Sequence, residues 1–434
     1  MRLIYNVLFT IGFLISAPFY FLKMRRRGNW KSGFAQRFAK YDALLKTQLT
    51  NRHTLWIHAV SVGEVNIATQ LIKALETRAP GLTVVVSTTT STGMGELRKK
   101  LPVHIPKFYY PIDRSAYASR ALRVINPEAI ILIEAEIWPN FLSKAAERRI
   151  PTFLVNARLS EKSYRGYRRA SFLFREIFGN FTGVGAQNEA DAQRLINLGC
   201  RPEAVQVVGN LKFDAAQIAE RGAISVDLLY KQIGVPEDAL VIVAGSTHDG
   251  EEALLADIYL RLKKRFPKLF LTLVPRHFER CREVGAALEQ RKLRFAYRTE
   301  VSNSTKAAPG GFDALIVNTT GELRHFYKTA TVIFVGKSLT AEGGQNPIEP
   351  GALGKAMVFG PNMQNFEAIA ATFVKARGAR QEPNAAAVEA ALAELLSSPE
   401  QRAELGRNAL QVVSENQGSI DRTLDMIMPH LKPD

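Results

Sequence analysis

Two short acidic motifs stand directly behind apolar, strand-like runs in this chain of 434 residues. Ser61-Val62-Gly63-Glu64 follows Thr54–Val60, and Glu134-Ala135-Glu136-Ile137-Trp138-Pro139 follows Ala129–Ile133. In an open parallel sheet, the loops at the carboxyl ends of the strands line the ligand crevice. Two carboxylate sites held there can supply a general base and a second charge beside a reacting centre. The plain alternative for Glu64 is the first turn of a helix, where a carboxylate suits the dipole. For Glu136 it is a pairing with a nearby arginine, so Glu136 stays outside the candidate catalytic set.

Other polar residues sit at similar places. Pro275 and Arg276 end the run Leu269–Val274, and the planar fork of an arginine there suits a phosphate; an ion pair with a glutamate is the alternative. Gly321, Glu322 and Leu323 read as a turn into a helix, where backbone N–H groups can meet a phosphate. Gly343-Gly344-Gln345 leads into Asn346, Pro347, Ile348 and Glu349, a Gly-rich turn that Asn346 can cap. Lys212, behind Val205–Gly209, reads on its own as a solvated lysine. His248 and His277 are loop histidines, a setting more often structural or exposed than catalytic. Trp138 reads as a packing anchor, and the Thr88–Thr92 hydroxyls either cap a helix or meet an anion.

The elements that must position these groups alternate along the chain. Thr54–Val60, Leu82–Ser87, Ala129–Ile133, Thr152–Asn156, Gly183–Gln187 and Val205–Gly209 read as strands, separated by helical patterns such as Glu189–Leu198. A second series follows a polar helical stretch near Ala215–Pro236. Its strands are Leu240–Ala244, Leu269–Val274, Ala314–Val317, Thr331–Val335 and Ala356–Phe359. Such βαβ series imply parallel sheets covered on both faces. The length suits two domains, and the 46% apolar and 23% charged composition is ordinary for a globular protein.

The formal charge is +16, a balance that suits nucleic acid, anionic lipid or phosphorylated substrates. No zinc-finger, RRM or basic-zipper pattern is present, so nucleic acid is not expected. Leu3–Leu22 is an uncharged, mostly apolar run, and Lys23, Arg25, Arg26, Arg27, Lys31, Arg37 and Lys40 follow with no acid among them. The run reads as a membrane anchor that spans the bilayer, with its basic flank cytoplasmic. A helix lying in the membrane surface is the alternative, because Asn6, Thr10, Gly12, Ser16 and Pro18 dilute it. Cys200 and Cys281, far apart, read as buried thiols rather than a disulfide or zinc framework.

Taken together, these landmarks resemble the 3-deoxy-manno-octulosonate (Kdo) transferases of lipopolysaccharide synthesis. The motifs Asn156-Ala157-Arg158-Leu159-Ser160, Ala186-Gln187-Asn188-Glu189 and Gly209-Asn210-Leu211-Lys212-Phe213-Asp214 carry the resemblance with those above. It implies an α/β chain of GT-B architecture, two Rossmann-like domains with an interdomain cleft plus the N-terminal anchor helix. The expected division is 1–22 for the anchor, 23–220 for the acceptor-binding domain and 221–434 for the CMP-Kdo-binding domain. The last helix has the option of packing back on the first domain. Implied activity is inverting transfer of Kdo from CMP-Kdo to a lipid A precursor at the cytoplasmic face of the inner membrane, with no cofactor and no bound metal. The resemblance makes Glu64 the base and Glu134 and Lys212 stabilisers of the transition state. It makes Pro275, Arg276, Gly321, Glu322, Leu323, Asn346, Pro347, Ile348 and Glu349 the CMP contacts.

This chain departs from the commoner family pattern at four points. Gln345 stands in place of a frequent His, Lys337 in Gly336-Lys337-Ser338 in place of a frequent Gly, and Gln36 and Ala39 in place of Glu and Gly. Two rival readings remain at this level: a GT-B enzyme using another nucleotide sugar such as a UDP-hexose, and a non-catalytic adaptor that binds anionic lipid through its basic face.

Overall fold

Continuous apolar runs with no polar alternation belong to strands that are covered on both faces. In the computed structural model, which describes residues 2–26, 33–49, 54–134, 136–215, 224–302 and 304–431, such runs build two seven-stranded sheets. The chain divides into unit 1, residues 1–215 with 416–434, and unit 2, residues 216–415. The boundary expected after residue 220 falls within 216–223, outside the described residues.

In unit 1 the strands are β1 (Thr54–His58), β2 (Thr83–Thr88), β3 (Lys107–Tyr109), β4 (Ala129–Ile133), β5 (Thr152–Ala157), β6 (Gly183–Ala186) and β7 (Val205–Val207). They lie side by side in the order β3-β2-β1-β4-β5-β6-β7, all parallel. Every residue of β1, β4 and β5 is buried. Val65, Ala68, Leu71, Ile72 and Leu75 of the helix Val62–Arg78 pack on one face, with Leu55, Ile57, Ile131 and Ile133. Trp56, Ile130, Leu132, Phe141 and Phe178 fill the other.

The chain end completes this unit. Leu424 and Ile427 of the helix Ser419–Ile427 join the core beside Val208 and Leu211. Gly418 stands at the N-cap with no side chain to offer. The Asp214 carboxylate does the capping instead, accepting the N–H of Gly418 at 2.8 Å and of Ile420 at 2.7 Å. Arg422 Nε adds a bond to the Val208 carbonyl at 2.9 Å.

In unit 2 the strands are β8 (Leu240–Thr247), β9 (Leu269–Pro275), β10 (Phe295–Tyr297), β11 (Ala314–Ile316), β12 (Val332–Val335), β13 (Met357–Phe359) and β14 (Arg380–Gln381). Their order is β10-β11-β9-β8-β12-β13-β14, again all parallel. The order of the unit 1 sheet reverses at one seam, β1 beside β4; in unit 2 it reverses at β8 beside β12 and again where β11 inserts between β9 and β10. At such a seam the loops part and leave a crevice at the carboxyl ends of the strands.

The amino terminus corrects one expectation. A helix does form, Arg2–Arg26, with Pro18 inside it. Among the described residues, however, no helix is long and apolar enough to cross a membrane. Along the helix, Thr10 and Ser16 turn their hydroxyls back onto the carbonyls of Asn6 and Gly12. Its first turns are docked. Tyr5 donates to Asp113 Oδ2 at 2.7 Å, and Asn140 Nδ2 donates to Asn6 Oδ1 at 2.7 Å. Asp113 also accepts the N–H groups of Asn140 and Phe141, capping the helix Pro139–Glu147 from a distance. Arg27 and Lys31 of the basic segment lie outside the described residues.

Asp214→Ala should leave the N–H groups of Gly418 and Ile420 without their cap and destabilise unit 1 by about 1–2 kcal/mol. Amide exchange should quicken over Ser419–Ile427 while β1 and β4 keep their protection; unchanged exchange there would show that Asp214 is dispensable.

Candidate active site

The seam of unit 1 gathers four charged side chains. Glu64 stands in the first turn of the helix after β1. Ser61 is its N-cap, and the pair form a capping box: Glu64 N–H donates to Ser61 Oγ at 3.2 Å, and Ser61 N–H donates to Glu64 Oε1 at 3.3 Å. Val60 N–H donates to Glu64 Oε2 at 2.8 Å. The helix-start alternative for Glu64 thus describes its local contacts. It does not exhaust them, because a carboxylate offers about four acceptor positions and these bonds fix its orientation. With a relative exposure of 7%, its carboxyl is pushed above the ordinary range. Burial is the main cause, the bonds from Val60 and Ser61 oppose it, and the charges of Glu134 and Glu136 add to it.

Glu134 directly follows β4 in the left-handed region, at φ 65°, uncommon for a residue with a Cβ. Its Oε1 lies 3.0 Å from Lys212 Nζ, so Lys212 is an ion-pair partner rather than a solvated lysine. Glu136 is pushed up by burial and takes the Trp138 indole N–H at 2.7 Å. The expected arginine partner for Glu136 is replaced by that indole, which also gives Trp138 a polar anchor.

Three amides that sequence reading left without a role hold the Glu134–Lys212 pair. Asn156, wholly buried and at φ 53°, reaches Glu134 Oε1 with Nδ2 at 3.5 Å and accepts Leu211 N–H at 3.0 Å. Gln187 donates to the Asn156 carbonyl and accepts from Asn210 Nδ2, both at 3.0 Å. Asn210 Oδ1 accepts Lys212 N–H at 3.0 Å. Side-chain amides at the ends of successive strands were the available signal, since each can donate and accept at once. The Thr88–Thr92 segment caps a helix: Thr90 Oγ1 accepts Gly93 N–H and donates to the Val60 carbonyl, each at 2.9 Å. A Cβ on Gly93 would stand 2.7 Å from that carbonyl, so only glycine lets this helix approach β1.

The seam of unit 2 is built differently. Arg276 follows β9, with its N–H on the Thr247 carbonyl at 3.0 Å. Its guanidinium is exposed and makes no hydrogen bond or close ion pair among the described residues, and its charge acts on Glu349 from a distance. Glu349 is half-buried at the start of the short helix Ile348–Ala352. Burial raises its carboxyl, while the Asn346 amide and the charges of Arg324 and Arg276 pull it down. Asn346 caps the turn, accepting Ile348 N–H at 3.1 Å. Glu322 accepts from Arg298 Nε at 3.1 Å and from Thr319 Oγ1 at 2.6 Å. Its carboxylate therefore shapes the Gly321–Leu323 turn. His248 and His277 stack edge to face, with ring centroids 6.2 Å apart. Cys200 and Cys281 are buried thiols, pushed by burial up to about 12 and about 11. Among the described residues, no three His, Cys, Asp or Glu side chains are grouped as metal ligands would be.

Lys212→Met removes the cation from a cluster of three carboxylates. Glu64, which already feels Glu134 and Glu136, should then titrate at still higher pH, read by NMR of its labelled carboxyl. A titration identical to that of the unsubstituted chain would uncouple Lys212 from Glu64.

Comparison with known proteins bears on the whole arrangement. Residues 32–215 match the family described as "3-Deoxy-D-manno-octulosonic-acid transferase (kdotransferase)". The 3-deoxy-D-manno-octulosonic acid transferase of Haemophilus influenzae is 32% identical over 382 residues, covering 87% of this chain and 87% of the relative. That of Bordetella pertussis is 32% identical over 434 residues, covering 96% and 98%. Among solved structures, a glycosyltransferase from Rickettsia africae aligns with a TM-score of 0.56 at 14% identity, over 88% of this chain and 100% of that one. The UDP-GlcNAc 2-epimerase of Neisseria meningitidis aligns at 0.59 and 14%, over 87% and 100%. These two share the fold, two parallel-sheet α/β units of the kind found in GT-B glycosyltransferases. Identity near one third across almost the full length of both Kdo transferases is a closer tie, and it makes this chain a glycosyltransferase of the Kdo transferase family.

Proposed function

We propose that this enzyme moves Kdo from CMP-Kdo to a glucosamine hydroxyl of a lipid A precursor, with inversion at the anomeric carbon. Glu64 takes the hydroxyl proton as the new C–O bond forms. The bond from the anomeric carbon to the phosphate oxygen breaks, and CMP leaves with both electrons. A sugar hydroxyl is a poor nucleophile until its proton is drawn off in the transition state. The observation that carries this reading is the oriented, buried Glu64 carboxylate, raised into a more basic range beside Glu134 and Glu136. Lys212, on Glu134, keeps a neighbouring negative charge partly compensated and supports charge balance as the reaction proceeds.

In unit 2, Pro275 and Arg276, Gly321 to Leu323, and Asn346 to Glu349 form the CMP subsite. The exposed Arg276 guanidinium supports the phosphate contact, and the Glu349 carboxylate suits ribose hydroxyls. The N-terminal helix is proposed as a surface anchor on the cytoplasmic face of the inner membrane. Val7, Leu8, Ile11, Leu14, Ile15, Phe19 and Leu22 are exposed along it at helical spacing, which suits a helix lying in the headgroup region beside an acylated acceptor.

A base works only when ionised. Because the Glu64 carboxyl is raised, the rate should fall with decreasing pH at a value above the ordinary glutamate pKa of about 4.3. Glu64→Gln keeps an acceptor for Val60 N–H; it should lower the transfer rate by about 10²–10⁴-fold and leave CMP affinity intact. Near-normal turnover in that variant would remove Glu64 as the base. Arg276→Ala should weaken CMP binding by about 1.5–3 kcal/mol, measured by calorimetry; an unchanged affinity would reject its phosphate contact.

A further inference from the structure

The carboxyl ends of β8, β9 and β12 carry Lys337, Arg276, His248 and His277 to one edge of unit 2. The backbone links are short. Arg276 N–H meets the Thr247 carbonyl at 3.0 Å, and the N–H groups of His248 and Lys337 share Glu251 Oε2 at 2.9 and 2.6 Å. Glu251 is wholly buried, and its other oxygen accepts the N–H groups of Ser338 at 2.8 Å and Leu339 at 2.9 Å. Its charge is thus spent on orienting the backbone of the Lys337 loop.

Lys337 itself is held in the left-handed region, at φ 55°, a conformation that glycine adopts freely and a lysine does not. Strain of this kind persists where the surroundings impose it, and it gathers at ligand sites. Gly344 N–H donates to the Lys337 carbonyl at 2.9 Å, and a Cβ on Gly343 would stand 3.1 Å from Lys337 Nζ. The ammonium therefore lies over the Gly343-Gly344 turn that leads into Asn346 and Glu349. It is half-buried, and no carboxylate pairs with it among the described residues. On the same edge, His248 Nδ1 is buried without a hydrogen-bond partner.

We propose that Lys337 is an anion-binding residue of the donor site, its ammonium meeting either the phosphate or the sugar carboxylate of the nucleotide sugar, with Glu251 as the positioning residue for its loop. This rests on the cytidine-nucleotide reading of unit 2 given above.

Lys337→Gly separates binding from folding, because glycine removes the cation and suits the backbone angle. The thermal midpoint of the full chain should be unchanged or higher. Calorimetry with CMP and with cytidine, together with the KM for CMP-Kdo, reads the effect. A phosphate contact predicts that CMP binds about tenfold or more weaker while cytidine is unaffected. A carboxylate contact predicts unchanged CMP affinity and a KM for CMP-Kdo raised about tenfold, with kcat affected less. Lys337→Arg, which keeps the charge, should restore most of either loss. Unchanged CMP affinity and unchanged KM in Lys337→Gly would overturn the assignment while the donor reading stood. Failure of the unsubstituted chain to bind either CMP or CMP-Kdo would take both down together.

Discussion

A parallel sheet whose strand order reverses has a seam where consecutive helices leave for opposite faces. Most of what this protein can do chemically depends on that constraint. At the seam of unit 1, the loop after β1 brings Glu64 and the loop after β4 brings Glu134 and Glu136. At the seam of unit 2, the loop after β8 brings His248 and Glu251 and the loop after β12 brings Lys337. Three residues at the seams, Glu134, Ser246 and Lys337, lie in the left-handed region, at φ 65°, 55° and 55°.

Buried and half-buried carboxylates serve two kinds of duty here, and their surroundings separate them. Asp113, Asp214 and Glu251 each accept two or more backbone N–H groups and stitch a loop or helix end in place. Glu64 does the same through its capping box, but it also faces two further carboxylates. That like-charge company is not required for capping. It moves the proton affinity of Glu64 in the direction a general base needs.

The long, fully buried strands were legible because their apolar runs are unbroken: β4 and the helix Glu189–Leu198 fall where the pattern places them. The short strands β3, β10 and β14 were not. Each lies at the edge of its sheet or ends it, and Lys107–Tyr109, Phe295–Tyr297 and Arg380–Gln381 are too brief to show any period. The acidic motifs pointed to the unit 1 cluster, yet the pairing of Lys212 with Glu134 needs residues 78 apart to meet, which spacing cannot reveal. The N-terminal run was expected to anchor the chain, as a span or as a helix in the membrane surface; among the described residues no helix is long and apolar enough to cross a membrane. Asn6 and Tyr5 are in fact committed to unit 1.

Unit 1 is discontinuous: its final helix, Ser419–Ile427, is made only after the whole of unit 2. During synthesis, the sheet of β1 to β7 therefore emerges from the ribosome long before Leu424 and Ile427 can cover Val208 and Leu211. A patch of its core must wait, exposed, while about two hundred further residues are added at roughly 5–20 per second. Unit 2 has no such debt, since all of its strands come from one uninterrupted stretch. The order of completion is thus the reverse of the order of translation, with the second lobe closing first and the first sealed last by the tail of the chain.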